Sequence, residues 1–480
     1  MKTNIYESYR PLVEDWKPYI DVVKEHVEGY NDVEATQLAI VLENTKSELE
    51  SATGRLKNGF VSEATDISMI NTFSSNAFEI VTAVFPNLIA NDIVSTQPLD
   101  RRNGQVFFLK FTYGNAKGGI QKGDNMLTSK TGFSGKDYSG EHVSGEILTI
   151  TEGAVDHTLA YLPVIPGTVK LTSGVAGVLK DVPNADGLTG TFTASGDTSA
   201  ASNGMGTGTI NYATGKITLS GVTVTDLAVE WDYDLNSFNA KVGEIDVQVA
   251  CEAVVARPRK LKSVYMFDVG YDLKQSFGLD MDTIILKATS GEIGYEIDNE
   301  IMQDLLVVAG TSSTWNKNPE YKGMEKVDHD ATFLTAIHDA SNTILGATKR
   351  YEATFVICGK NGATLIESMN SARTGVFKRV STGGIVGGPH LVGVLDEKYK
   401  VYKNPFYGDN DVLVGAKGEM FIEAGYIYAP YLPLFASQLL VDADFKAQRG
   451  FCTLYAKKVT NPNMYHRITL IDNVSVTDSE

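Results

Sequence analysis

The run AGYIYAPYLPLFASQLLV, Ala424 to Val441, holds eighteen residues without a charge in a chain that is otherwise 21% charged. Its length is near that of a membrane-spanning helix. Pro430 and Pro433 argue against a span, because each removes a backbone donor and kinks a helix, and Gly425, Ser437 and Gln438 dilute the apolar character. Ahead of the prolines the run reads as a strand, with Ile427 and Ala429 on one face and Tyr426 and Tyr428 on the other. Both faces suit burial, and a proline is expected to end the pairing.

Upstream stand GVLDEKYKVYKNPF, Gly393 to Phe406, and VLVGAKG, Val412 to Gly418. In this order and spacing the three segments resemble the C-terminal part of the major capsid proteins of T-even-type tailed bacteriophages. That family places a Gly-Val-Leu turn before a Lys-Tyr-x-Val-Tyr strand, then a Val-Gly-Tyr-Lys-Gly-like strand, then Ala-Gly-Ile-Tyr-Tyr-Ala-Pro-Tyr. A second block, Lys262 to Leu306, resembles the family's short helix holding Asp-Leu, its Gly-x-Asp turn and its long helix of repeated Glu-Ile. Here the repeat is Glu292-Ile293, Glu296-Ile297 and Glu300-Ile301. Its four-residue period sets the isoleucines along one helical face, and Leu305 and Val308 continue the stripe.

The resemblance covers about residues 64–162 and 236–450. It implies an α+β chain with the Hong Kong-type (Johnson) phage capsid fold: an N-arm at 64–104, an E-loop region at 105–162, a peripheral domain with a spine helix at 236–324, an axial domain at 325–440 and a return to the peripheral domain at 441–480. It also implies the function, self-assembly into the icosahedral shell around the genome of a tailed double-stranded DNA phage. The implied partners are further copies of the chain in hexameric capsomers, with pentameric ones left open, together with scaffold, prohead protease, vertex or portal proteins and decoration proteins. No enzyme activity and no cofactor are expected. An encapsulin-like compartment shell and a tail or baseplate protein are the alternatives, the latter predicting tubes or rings in place of closed shells.

Composition is compatible with this. A 480-residue chain has length for two to four domains, and 45 glycines with many short strand-like runs suit a protein rich in sheet and loops. A formal net charge of −17 disfavours a tight grip on phosphate backbones, which needs clustered lysine and arginine. Cys251, Cys358 and Cys452 are far apart and odd in number, which suggests a reducing compartment and buried thiols. MKTNIYESYRPLVEDW has no apolar core of secretory length, so assembly is expected in the host cytoplasm.

Residues 1–63 form a segment apart. Leu38, Val41, Leu42, Thr45, Leu49, Ala52 and Leu56 fall at helical spacing in a narrow stripe, which predicts a helix paired with another helix and not one that caps a globular core. Asn58-Gly59 is its stop. The resemblance implies a propeptide of similar length, cut after an apolar-x-Glu triplet, and Val61-Ser62-Glu63 before Ala64 fits.

From Lys110 to Gly145 the chain is rich in Gly, Ser and Lys, with Lys110, Lys117, Lys122, Lys130 and Lys136 as a basic, flexible stretch suited to reaching an acidic neighbouring subunit. Residues 163–235 are crowded with Gly, Thr, Ser and Val. Expected strands at 168–171, 188–194, 208–212, 216–219 and 227–233 make an inserted all-β module that bridges to a neighbour or reinforces the outer surface. Within it, GTINYATGKITL is a hairpin.

Residues 332–348 read as a helix, 353–358 as a buried strand, and 362–369 as the start of another helix. STGGIVGGP, Ser381 to Pro389, is a glycine loop that the family resemblance places at the capsomer centre, with Gly383, Gly384, Gly387 and Gly388. It lacks the Lys-Ser or Lys-Thr pair of a phosphate cradle. Asp328-His329-Asp330 with His338 is the nearest approach to a metal cluster, but the spacing puts the histidines on different helical faces.

Overall fold

The computed structural model describes the chain apart from residues 1–8, 28–29, 58–77, 79–80, 83–84, 119, 125–137, 174–176, 195–204, 239, 279, 319–324, 373–375, 381–387, 419, 421–422, 438, 442–443, 445 and 473–480. The chain divides into two units, Met1–Phe108 with Ala250–Glu480, and Leu109–Val249.

The first unit opens with helices α1 (Arg10–Asp15), α2 (Lys17–His26), α3 (Asp32–Lys57) and the one-turn α4 (Ala90–Ile93), followed by strand β1 (Ser95–Thr96). Strand β2 (Asn103–Tyr113) leads into the second unit. There the chain forms β3 (His142–Ile147), β4 (Ala154–Thr158), β5 (Lys170–Ser173), β6 (Gly177–Pro183), β7 (Thr189–Ala194), β8 (Thr207–Asn211), β9 (Lys216–Ser220) and β10 (Ala228–Asp232). Strand β11 (Ile245–Val255) leads back and pairs with β2 as a two-stranded ribbon.

Strands β3 to β10 make one eight-stranded sheet in the order β3-β10-β5-β6-β7-β8-β9-β4. Its two end strands are β3 and β4, yet His157 on β4 bonds Glu146 on β3 at 2.8 Å, so the sheet curls until its edges meet. Alternation sends Val155, Leu171, Ile217, Val229 and Trp231 inward, where they are buried with Tyr161 and Tyr233. The expected strands are present. The hairpin joins β8 to β9, with Gly215 at φ +67° in its turn. The sheet also takes in β6, which was not foreseen, and β3 and β4 upstream of Pro163.

After β11 the first unit continues with β12 (Arg257–Met266), α5 (Phe267–Phe277), the 28-residue α6 (Met281–Val308), β13 (Thr311–Asn316), α7 (Lys326–Thr348), β14 (Phe355–Cys358), α8 (Lys360–Ala372), β15 (Phe377–Arg379), β16 (His390–Leu395), β17 (Tyr399–Lys403) and β18 (Asp411–Gly415). It ends with β19 (Tyr426–Ala436), β20 (Leu440–Val441), β21 (Lys446–Val459) and β22 (Tyr465–Ile471). Two sheets result: β1-β19-β21-β12 with β20 beside β21, and the seven-stranded β13-β22-β18-β14-β17-β16-β15.

The opening run is β19. Ile427 and Ala429 on one face and Tyr426 and Tyr428 on the other are all buried, which meets the expectation. The prolines do not end the pairing. Strand β19 stays paired with β21 from Tyr426↔Val459 through Pro430↔Tyr455 to Ala436↔Phe451, with register shifts between Pro430 and Leu432 and between Leu432 and Phe435. These irregularities absorb the missing donors.

Helix α6 carries the four-residue repeat, with Ile293, Ile297, Ile301 and Leu305 all buried in the main core and Val308 half-buried at its end. Gly278, at φ +68°, closes α5 just before it. In the seven-stranded sheet every residue of β14 is buried, and Phe333, Ile337, Ala340 and Ile344 of α7 pack into the same core. The LDEKYK stretch is the β16-β17 hairpin, whose turn residues Asp396 and Glu397 both have positive φ, +52° and +54°.

Candidate assembly surfaces

Helix α3 starts cleanly because Asp32 and Glu34 lie in its first turn and the Glu34 side chain accepts from Asn31 N at 2.9 Å. Its apolar stripe was expected to face another helix. It does meet the preceding helical segment, through Trp16, Ile20 and Val23, but the structure corrects the expectation that it caps no globular core, since Leu38, Ala39, Val41 and Leu42 are buried in the main core that also holds Tyr426, Tyr428 and Leu434 of β19. Two polar side chains on α3 make the seat specific. Gln37 Nε2 donates to Thr96 O at 2.7 Å, and Asn44 Nδ2 donates to Leu99 O at 2.9 Å and Tyr431 O at 3.1 Å. These carbonyls would otherwise be buried acceptors without partners. Val61, Ser62, Glu63 and Ala64, the expected cleavage residues, lie outside the described residues.

Beside the isoleucine stripe of α6 runs a charged row. Arg259 on β12 meets Glu300 at 2.5 Å and Glu296 at 3.6 Å. Lys457 on β21 bridges Glu300 at 2.9 Å and Asp304 at 2.5 Å, Tyr426 donates to Asp304 at 2.8 Å, and Tyr455 donates to Glu300. Burial resists ionisation of Glu300, but the bonds from Lys457 and Tyr455 outweigh it and hold the carboxyl below its ordinary value. The same surroundings push the Tyr455 hydroxyl up, through burial first and Glu300 second. This row clamps the long helix to its sheet.

The lysines of the expected E-loop separate. Lys110 is exposed on β2 and so belongs to a strand, because β2 continues to Tyr113. Lys117 is buried and is not available to a neighbour. Its Nζ donates to Gly140 O at 2.7 Å and Tyr138 O at 3.1 Å and lies 5.0 Å from the Tyr233 ring centre and 5.5 Å from that of Tyr161. Lys122 is exposed in a turn, and Lys130 and Lys136 lie outside the described residues.

Of the expected capsomer-centre glycines only Gly388 is described. It has φ +72°, and a Cβ there would come within 2.6 Å of the Tyr295 ring on α6. Gly383, Gly384 and Gly387 lie outside the described residues.

A surface that the sequence reading passed over lies on β11. Ile245, Val247, Val249, Cys251, Ala253 and Val255 alternate along one face of this strand, and all six are exposed, the four branched residues by 50% or more. Period-two alternation of apolar residues was the available signal. An exposed apolar face of this extent marks a contact surface. Cys251 within it corrects the expectation of buried thiols; Cys358 is buried, and Cys452 is half-buried. Burial pushes the Cys358 thiol up, away from the reactive thiolate form.

Among the described residues no group of three or more His, Cys, Asp or Glu is placed to hold a metal. His329 donates to Asn316 O at 2.7 Å and stacks on Trp315 with ring centres 4.9 Å apart, while His338 faces Tyr399 and Asp396. No helix among the described residues is long and apolar enough to cross a membrane.

The chain is 24% identical to the major capsid protein of Enterobacteria phage T4, over 92% of this chain and 90% of that protein. It is 23% identical to the major capsid protein of Vibrio phage KVP40, over 84% and 79% of the two chains. Among solved structures, the capsid of jumbo bacteriophage PhiKZ aligns with a TM-score of 0.36 at 9% identity, over 78% of this chain and 91% of that one. The family described as "Major capsid protein Gp23" matches residues 70–479. The chain therefore belongs to the Gp23 major capsid protein family.

Proposed function

We propose that many copies of this chain close into an icosahedral shell of hexameric capsomers around the genome of a tailed phage, assembling in the host cytoplasm without catalysing a reaction. The observation that carries this reading, beyond family membership, is the exposed apolar face of β11. Six alternating apolar side chains in water are unfavourable in an isolated subunit, and a second copy would cover them. Each such contact is modest, and multiplicity makes the shell stable. Electron microscopy of the expressed chain, alone and with scaffold, tests the reading. Closed shells are expected; tubes, rings or a persistent monomer refute it.

The finer parts of the reading are the prohead protease, the portal and decoration proteins, the axial role of the glycine loop at 381–389 and the bridging role of the β module. They are supported by the family resemblance and by position in the chain. Processing after Glu63 predicts particle-derived protein with a new N-terminus at Ala64, read by intact mass. Full-length chain in mature particles would refute it.

A further inference from the structure

Strands β11 and β12 are each paired on one side only. Strand β11 pairs with β2, and β12 ends the sheet β1-β19-β21-β12, where it pairs with β21. Among the described residues no strand pairs with the other edge of either. Each therefore presents a row of backbone N–H and C=O groups to solvent. All five residues from Ile245 to Val249 are exposed, and no residue of β12 is buried.

The two edges carry opposite charge. On β12, Arg257, Lys260 and Lys262 are exposed and take part in no ion pair among the described residues, unlike Arg259, which Glu300 holds. On β11, Asp246 is exposed and likewise unpaired among the described residues, whereas Glu252 is held by Lys458. Across a ladder, opposite charges stabilise the pairing and like charges destabilise it. Each edge is thereby closed to its own kind: β12 against β12 sets lysines against lysines, and β11 against β11 sets Glu244 and Asp246 against their copies. Lysines on an edge strand ordinarily guard it from addition. Here the guard admits an acidic strand.

We propose that β11 of one copy adds to the free edge of β12 on a second copy, with Asp246 beside Lys260 and Lys262. This names the surface that covers the apolar face of β11, and it rests on the shell reading above. Side chains alternate along both strands, so a register that sets Asp246 beside the lysines turns Ile245, Val247 and Val249 to the other face, where Leu261 of β12 is 41% exposed. Ladder hydrogen bonds, ion pairs and apolar burial then favour the same alignment. The contact is heterologous, since one copy gives β11 and the next gives β12, so each copy can use both edges at once and the contact repeats from copy to copy.

Electron microscopy of the full-length chain expressed with scaffold tests it, with circular dichroism on each purified variant as the check of folding. Lys260→Glu together with Lys262→Glu is expected to fold and to lose closed shells. Asp246→Lys, on the complementary strand, is expected to do the same, and it carries the test should the lysine variant not fold. All three substitutions in one chain exchange the charges and are expected to restore shells. Closed shells from either charge-reversed chain, or none from the chain with all three, would overturn the proposal, while wild-type shells leave the shell reading standing. A wild-type chain that forms no shell would refute that reading and this contact with it.

Discussion

Gln37 Nε2 reaches the carbonyl oxygen of Thr96 at 2.7 Å, joining the N-terminal helical segment to the strand edge that precedes β2. Asn44, two turns further along α3, does the same for Leu99 and Tyr431. Both side chains are buried, so removing either leaves a carbonyl without a partner. Gln37→Ala and Asn44→Ala should each lower stability by about 1–3 kcal/mol in urea unfolding. Lys46→Ala, exposed on the same helix, should change it by less than about 0.5 kcal/mol. Equal effects at all three positions would show that the helix is not seated this way.

The charged row along α6 makes an acid-sensitive contribution. The native Glu300 carboxyl lies below its ordinary value, so its stabilisation is present above the ordinary carboxylate range and is lost as pH falls through the native value. Glu300→Gln should lower Tm at pH 7 by about 1 °C, equivalent to roughly 1 kcal/mol once partial exposure is discounted. The gap should close towards pH 3. A gap that persists in acid would mean that packing, and not charge, holds the row together.

The β16-β17 turn holds two consecutive residues at positive φ. A β-branched residue fits such a position poorly, so Asp396→Val should cost about 1–3 kcal/mol. Asp396→Gly should be tolerated, since glycine reaches this conformation freely. Thermal unfolding of the two variants separates backbone strain from loss of the Asp396 side chain.

On β11 the expected effect is on assembly. Val247 is 59% exposed, and Val247→Asp should leave circular dichroism and thermal unfolding of the subunit unchanged. Closed shells in electron micrographs should disappear, because the charge would be buried without a partner at the contact. Normal shells from this variant would remove the β11 face from the assembly contacts.

How much could be read in advance depended on whether the signal was local. The Glu-Ile repeat fixed the face of α6 because Ile293, Ile297 and Ile301 repeat at helical spacing whatever they pack against. The β8-β9 hairpin was equally legible, since its turn and alternation lie within twelve residues. Strand β13, Thr311–Asn316, was not seen, because it is polar and draws its pairing from β22, some 150 residues later. Nor could Lys117 be placed, as its burial depends on Tyr138, Tyr161 and Tyr233 converging on it. Pro430 and Pro433 misled for the opposite reason. Their local rule is sound, but long-range pairing with β21 accommodates them through irregularities.

The place of β22 sets a schedule for biosynthesis. This strand, Tyr465–Ile471, lies between β13 and β18 inside the seven-stranded sheet. Until it leaves the ribosome, β13 has no partner and one long side of β18 is bare. The sheet therefore closes only after β22 has emerged, some 150 residues after β13, and until then a nascent chain carries an unpaired edge. Ribosome-bound intermediates are the state most exposed to aggregation, and a stop codon placed just before Tyr465 would release a chain unable to complete this sheet.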